Sequence, residues 1–298
     1  MSDKIVVVFG ATGAQGSSVT KALLEDGTFK VRIVSRDPNK PACKDLEKLG
    51  AEVVKADLDD AELLKSAVCG AHAVFLVTNY WEHLSKEKEV QQGKRFADVA
   101  KQAGLQHVVF SGLENVCKLT NGKLVVEHFD GKGEVEEYFR QIDVPMTSVR
   151  LPCYFENFMS FFKPQKLPDG SGYSLALPLG DVPMDGMSVA DLGPVIVSIL
   201  KSPKKYIGKD IGLSSDRLTC KEYAKIISKY SGKNVIDAEM SVDEYEKQDF
   251  PGATPLAGMF KFYTMNPERN IGLTRELNPR VRTFEEWVQL NKEVFKDL

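Results

Sequence analysis

Histidine is scarce in this chain, with four among 298 residues, and tryptophan is scarcer, with two. The histidines are dispersed, so no metal site is expected. The five cysteines, Cys43, Cys69, Cys117, Cys153 and Cys220, are odd in number and form no C-x-x-C pair. That argues against a disulfide framework and against a zinc site, and it suits a reducing cytosol. An excess of one charge is lacking too. The 39 basic and 42 acidic residues leave a net charge of −3, and no basic block marks a nucleic-acid or anionic-lipid surface. No apolar run approaches the length of a membrane span. With a first strand expected from about Lys4, no room for a signal peptide is expected either.

What is present begins with Ile5-Val6-Val7-Val8-Phe9 followed at once by Gly10-Ala11-Thr12-Gly13-Ala14-Gln15-Gly16. An apolar strand, a G-x-x-G-x-x-G turn and a helical pattern make a cradle for a diphosphate. Glycine permits a positive φ and lets the backbone approach a ligand closely. The free N–H groups and positive dipole end of the following helix then meet the anion. The context, rather than the glycines alone, makes the motif specific.

Strand patterns recur at 4–9, 30–35, 51–55, 72–78, 107–110 and 145–150. Helical patterns lie between them near 16–25, 41–49, 60–67, 85–103 and 133–141. This alternation predicts an α/β fold, a Rossmann doubly wound parallel sheet. After Arg150 the pattern changes. Six prolines and glycines between Pro164 and Gly180 predict a loop or hairpin. Ser188-Val189-Ala190-Asp191 has the residue types of a capping box, and weaker helices are expected at 219–231, 254–263 and 283–296. We therefore expect a Rossmann domain of residues 1–152 and 182–204. Residues 153–181 and 205–298 would form a smaller, mostly helical lobe over the cofactor cleft.

The end of the second strand selects between dinucleotides, an acid favouring NAD and an arginine accommodating the 2′-phosphate of NADP. Here it reads Ser35-Arg36-Asp37-Pro38-Asn39-Lys40. Arg36 stands about twenty residues beyond the last cradle glycine. Its guanidinium can grip a phosphate bidentately, and Lys40 can add a second charge. The alternative makes Arg36 a solvated loop residue and places Asp37 on an NAD ribose. We favour NADP(H).

These segments, with Thr78-Asn79-Tyr80-Trp81, Ser111-Gly112, Lys132, and Val149-Arg150-Leu151-Pro152 running into Tyr154-Phe155-Glu156-Asn157, resemble the NmrA-like group of atypical short-chain dehydrogenases/reductases over nearly the whole chain. The resemblance implies cofactor contacts from Gly10, Ala11, Thr12, Gly13, Ala14 and Gln15, and from Arg36, Asp37, Pro38, Asn39 and Lys40. It also implies Asp57 and Leu58 near the adenine, and Thr78, Asn79 and Tyr80 after the fourth strand. Lys132 falls at the nicotinamide ribose, with Tyr154, Phe155, Glu156 and Asn157 closing over the nicotinamide end. Asp57 reads equally well as a helix cap. A homodimer responsive to the NADPH/NADP⁺ ratio is further implied, regulating a protein partner, with an argininosuccinate synthase as the candidate. The expected location is cytoplasmic, including the perinuclear region, with nuclear entry left open.

The resemblance raises the question of catalysis. A typical short-chain dehydrogenase sets a lysine one helical turn after a tyrosine, lowering its pKa for proton exchange. None of the nine tyrosines here is followed by lysine at the fourth position. His128 precedes Lys132 by four residues, but Gly131 and Gly133 argue against a helical turn between them. No catalytic residue is therefore assigned. Ser111 reads as hydrogen bonding at a strand end, and Cys153 as a buried, inert thiol. The favoured reading is an NADPH-binding sensor. The alternative is a reductase of a quinone, enone or aromatic substrate, with Phe155, Phe158, Phe161 and Phe162 as candidate pocket residues. A scaffold with a vestigial site is the weakest option.

Overall fold

Val6, Val7 and Val8 have no exposed surface. β-branched residues buried on both faces belong in the middle of a covered parallel sheet, and that is where they lie. The computed structural model describes residues 3–250, 252–296 and 298. Strands and helices alternate as β1 (Ile5–Val8), α1 (Ala14–Asp26), β2 (Lys30–Ser35), α2 (Pro41–Lys48), β3 (Glu52–Lys55), α3 (Ala61–Val68), β4 (Ala71–Leu76), α4 (Lys86–Gln102), β5 (His107–Gly112), α5 (Val116–Leu119), α6 (Glu127–Gln141) and β6 (Met146–Arg150). The sheet order is β6-β5-β4-β1-β2-β3, with Asp210–Gly212 added at the β6 edge. Each neighbouring pair from β6 to β3 is parallel. The order reverses between β1 and β4, the switch point outside which such sheets bind ligands.

Local chemistry explains the helices. α1 buries Gly16, Val19, Thr20 and Leu23 and stops at Gly27, at φ +67°, whose N–H bonds to the Leu23 carbonyl. α3 starts at Asp60, whose carboxylate accepts from Glu62 and Leu63 N–H. Asp57 is thus not the cap; its carboxylate accepts from Asp59 N–H in a local turn.

Helix α6 departs most from the sequence reading. It runs unbroken from Glu127 to Gln141 through Gly131 and Gly133. Tertiary packing overrides helix propensity here. A Cβ on Gly133 would lie 2.4 Å from the Asn115 nitrogen, and one on Gly131 3.2 Å from a Glu89 oxygen. The glycines serve close approach and do not break the helix.

The chain divides into two units. The first comprises residues through Gly122, Glu127–Arg150 and Ala190–Ile211; the second comprises Lys123–Val126, Leu151–Val189 and Gly212–Leu298. Residues 182–189 thus differ from the expected boundary. Met184–Met187 pairs with Cys153–Tyr154 and with Asp216–Leu218 in a small sheet of the second unit. Residues 205–211 belong to the first unit because Asp210–Gly212 extends its sheet. In the second unit, Gln165–Lys166 and Tyr173–Leu175 form the expected hairpin. Its core is aromatic, with Phe158, Tyr223 and Phe284 rings 4.6–4.8 Å apart. The last helical pattern is interrupted at Asn291. Ser188 does not cap a helix either, since its hydroxyl donates to Glu156 at 2.6 Å.

Candidate functional site

The first turn has the backbone geometry that the glycine spacing requires. Gly10 stands at φ +64°. A Cβ on Gly16 would lie 2.2 Å from the Gly10 oxygen, so only glycine lets α1 start against this turn. Gly13 N–H donates to the Gly10 carbonyl at 2.9 Å. Gly13 is the N-cap of α1 without a side-chain cap, and the first turn carries no acidic residue. The first N–H groups of a helix lack intrahelical partners, so this end presents donors and positive potential. Thr12, Gly13 and Ala14 are exposed, Gln15 is half-buried, and Ala11 is buried.

At the end of β2, the Arg36 guanidinium pairs with the Glu82 carboxylate. That hydrogen bond, then the Coulombic pull of Glu82, Asp57 and Asp59, raises its pKa further. The Asp37 carboxylate accepts from Asn39 N–H at 3.0 Å, which favours turn formation over ribose binding. Pro38 is half-buried, and Asn39 and Lys40 are exposed. The half-buried Leu58 offers its carbonyl to Arg95 at 2.8 Å.

Beyond β4 a buried polar cluster forms that the sequence reading only half identified. Lys132 on α6 donates to the Thr78 carbonyl and hydroxyl at 3.0 and 2.8 Å. Its ammonium also pairs with Glu89 of α4 at 2.9 Å. The Thr78 hydroxyl donates to the same Glu89 oxygen at 2.7 Å. Glu89 is fully buried, and its second oxygen has no hydrogen-bond partner among the described residues. Asn79 is exposed. The Tyr80 hydroxyl donates to Glu127 at 2.9 Å, and burial, with that bond, pushes its pKa to about 12.

Because α6 is continuous, His128 and Lys132 sit one turn apart on a single helix, contrary to the sequence expectation. The His128 ring lies 5.7 Å from Tyr80, 5.1 Å from Trp81 and 5.0 Å from Phe129. Neither ring nitrogen has a hydrogen-bond partner among the described residues. Burial, reinforced by Lys132, lowers its pKa to about 4, so the imidazole is neutral at pH 7. His107 is lowered to about 4 as well, mainly by burial. The unfolded chain binds these protons near pH 6.5 and the folded chain only near pH 4, so stability falls as pH drops through that window. Each histidine contributes about 3 kcal/mol to the fall. Urea midpoints between pH 7 and 4.5 are expected to show it, with His128→Phe removing about half of the histidine contribution. An unchanged slope in that variant overturns the assignment.

In the second unit, the Phe155 side chain has no exposed surface and packs 5.1 Å from Phe284. Its side chain belongs to the core, so only its backbone is left to meet a ligand, and Phe158 and Phe162 are buried with it. Phe161 is the exposed member of that set. The Glu156 carboxylate is held by Ser188 and by Val189 N–H. Asn157 donates to the Cys153 sulfur at 3.8 Å, and Tyr154 is half-buried. Burial pushes the Cys153 thiol up to about 12, which leaves no thiolate at neutral pH. Ser111 lies buried inside β5. Among the described residues, no group of histidine, cysteine or carboxylate side chains could hold a metal, and no helix is long and apolar enough to cross a membrane.

Two residues escaped the sequence reading. Glu89 carried a legible signal, because it lies in helical register with Gly93, Phe96, Ala97 and Ala100, all buried. A carboxylate on an apolar face needs a cationic partner. Glu82 carried none, since its partner is 46 residues away.

The strand order and the glycine turn at its switch point define a Rossmann-type α/β protein. Residues 2–288 match the NmrA-like family, and the chain belongs to it. NmrA-like family domain-containing protein 1 of Rattus norvegicus is 30% identical over 99% of this chain and 100% of its own. An NmrA-like family domain-containing protein of Dictyostelium discoideum is 36% identical over 82% of this chain and 83% of its own. The oxidoreductase malD of Malbranchea aurantiaca is 34% identical over 77% and 74%. Among solved structures, NmrA, a negative transcriptional regulator, in complex with NADP superposes with a TM-score of 0.84. It is 22% identical and is covered over 98% of its length by all of this chain.

Proposed function

We propose that this protein binds NADP(H) and acts as a redox sensor that regulates a protein partner. One observation carries the sensor half of this reading. The position one turn before Lys132 holds a buried, neutral imidazole without a hydrogen-bond partner among the described residues, and the Lys132 ammonium is itself engaged by Glu89 and Thr78. The tyrosine of a tyrosine–lysine proton relay is missing there.

The residues fit the cofactor where the structure can test them. A Cβ at Gly16 would fill the Gly10 turn; glycine there keeps it open as a backbone cradle suited to a diphosphate. Arg36 and Lys40 would take the 2′-phosphate, and Asp57 and Leu58 would border the adenine. Lys132 would reach the nicotinamide ribose, with Asn79 near it and Tyr154 and Asn157 at the nicotinamide end. When bound, the cofactor supplies a nicotinamide that is neutral reduced and cationic oxidised. A sensor must read that difference, because the adenosine half is common to both forms. It must also bind two conformations unequally; swinging a population from 1:99 to 99:1 takes about 5.5 kcal/mol. We propose a homodimer as the responding species and an argininosuccinate synthase as the regulated partner, both following the family resemblance.

Calorimetry with NADPH, NADP⁺, NADH and NAD⁺ tests this reading. The phosphorylated pair is expected to bind tighter, and Arg36→Ala to weaken it roughly 10- to 100-fold, the loss of a charge-assisted bond, with little effect on NADH. Equal losses for both pairs overturn the assignment. The name of the malD relative, an oxidoreductase, supports a second reading as an enzyme, for which we propose quinones, enones or aromatic compounds as substrates. NADPH oxidation that depends on such a substrate and disappears in the charge-compensated Lys132→Met/Glu89→Leu variant would establish it.

A further inference from the structure

Arg36, the residue read as the 2′-phosphate receptor, already has an anion. Its guanidinium is bridged by the Glu82 carboxylate, with 56% and 42% of the two side chains exposed. The pair faces solvent, so a ligand phosphate can reach it. Asp57 and Asp59 also act on the guanidinium. Asp59 is neutralised by Lys88 at 2.7 Å and Arg95 at 3.3 Å. Glu82 is therefore the carboxylate that competes directly with an incoming phosphate.

Glu82 ends a single 3₁₀ turn, Tyr80–Glu82. The turn is anchored at its other residues, by the Tyr80 bond to Glu127 and by Trp81, whose ring lies 5.1 Å from His128 at an interplanar angle of 47°. Beyond it the backbone is held against local preference. Leu84 stands at φ +50°, a left-handed conformation disfavoured for a residue with a side chain. Both ring nitrogens of His83 are buried without a hydrogen-bond partner among the described residues. Local backbone bonds close the turn, with Leu84 and His83 N–H donating to the Tyr80 carbonyl at 2.8 and 3.2 Å, and the Glu82–Arg36 pair ties its exposed end to β2.

We propose that Glu82 is a specificity-determining latch: it occupies Arg36, and a ribose 2′-phosphate must displace it, freeing the Glu82 end of the turn beside Trp81. This rests on the reading of Arg36 as the 2′-phosphate receptor. A nucleotide lacking that phosphate has nothing to exchange for Glu82 and leaves the latch closed. The phosphorylated cofactor alone therefore moves Trp81, and the competition lowers its affinity. A ligand can drive a change only through such a differential interaction.

The test titrates wild type, Glu82→Gln and Arg36→Ala with 2′,5′-ADP and with 5′-ADP by calorimetry. Exposed ion pairs are weak, so Glu82→Gln is expected to bind 2′,5′-ADP about two- to fivefold tighter, with 5′-ADP unchanged. In a Trp287→Phe background, Trp81 emission should shift with 2′,5′-ADP and not with 5′-ADP. The heats decide the question even if that background folds poorly. If wild type prefers 2′,5′-ADP but Glu82→Gln gains nothing, the latch is wrong and the role of Arg36 stands. If wild type does not distinguish the two nucleotides, or Arg36→Ala keeps the preference, the reading of Arg36 fails and takes the latch with it.

Discussion

Lys132→Met is expected to destabilise the protein by about 3–5 kcal/mol, and Lys132→Met/Glu89→Leu to recover most of that loss. Glu89 has no exposed side-chain surface, and Lys132 keeps only 11% of its own. Removing the cation alone strands a buried carboxylate whose second oxygen already lacks a partner among the described residues. Removing both charges replaces the pair with apolar groups, which is often neutral in stability. Urea unfolding of the two variants measures this. A single-variant loss below about 1 kcal/mol would show that the pair is solvated. The double variant also separates structure from binding. It should keep wild-type affinity for 2′,5′-ADP and lose affinity for NADPH, because only the latter reaches the nicotinamide ribose. Unchanged NADPH affinity would remove Lys132 from the cofactor site.

The second large effect lies in the glycine turn. Gly16→Ala is expected to weaken NADH and NADPH alike by at least ~100-fold, about 2.7 kcal/mol, and to lower stability by about 1–3 kcal/mol. The added Cβ would meet the Gly10 oxygen at 2.2 Å, the Gly10 carbon at 2.4 Å and the Ala11 nitrogen at 2.7 Å. All three are backbone atoms, so no rotamer change relieves the clash, and the turn itself must move. Gly13→Ala separates fold from binding: its Cβ meets only the Gly10 oxygen, at 3.3 Å, so stability should change little, while the methyl group would still obstruct the diphosphate. A Gly16→Ala protein that binds either cofactor normally would show that the turn does not hold the diphosphate.

Local sequence carried the features that depend on neighbours along the chain. The valine run of β1, the Gly10–Gly16 spacing and the apolar face of α1 specify a strand, a turn and a helix. Nothing distant has to be known for that. The alternation that follows set the doubly wound sheet for the same reason, whereas its strand order and switch point came from the fold. The absence of lysine four residues after any tyrosine is likewise a property of the string.

Tertiary structure decided what depends on contact across the fold. Gly131 and Gly133 argue for a break when read locally, yet α6 continues because Asn115 and Glu89 come too close for a side chain there. That continuity sets His128 one turn from Lys132 and gives the two a shared environment. Phe155 reads as a pocket residue until the rings around it are seen. Arg36 announces an anion site from the end of β2, but its actual partner, Glu82, comes from beyond β4. By itself, the sequence determined a dinucleotide-binding topology and the lack of a tyrosine–lysine pair, because both are written in short spacings. Only the fold decided which charges are neutralised, which ring is dry and which carboxylate guards the arginine, because burial and long-range pairing are set by packing.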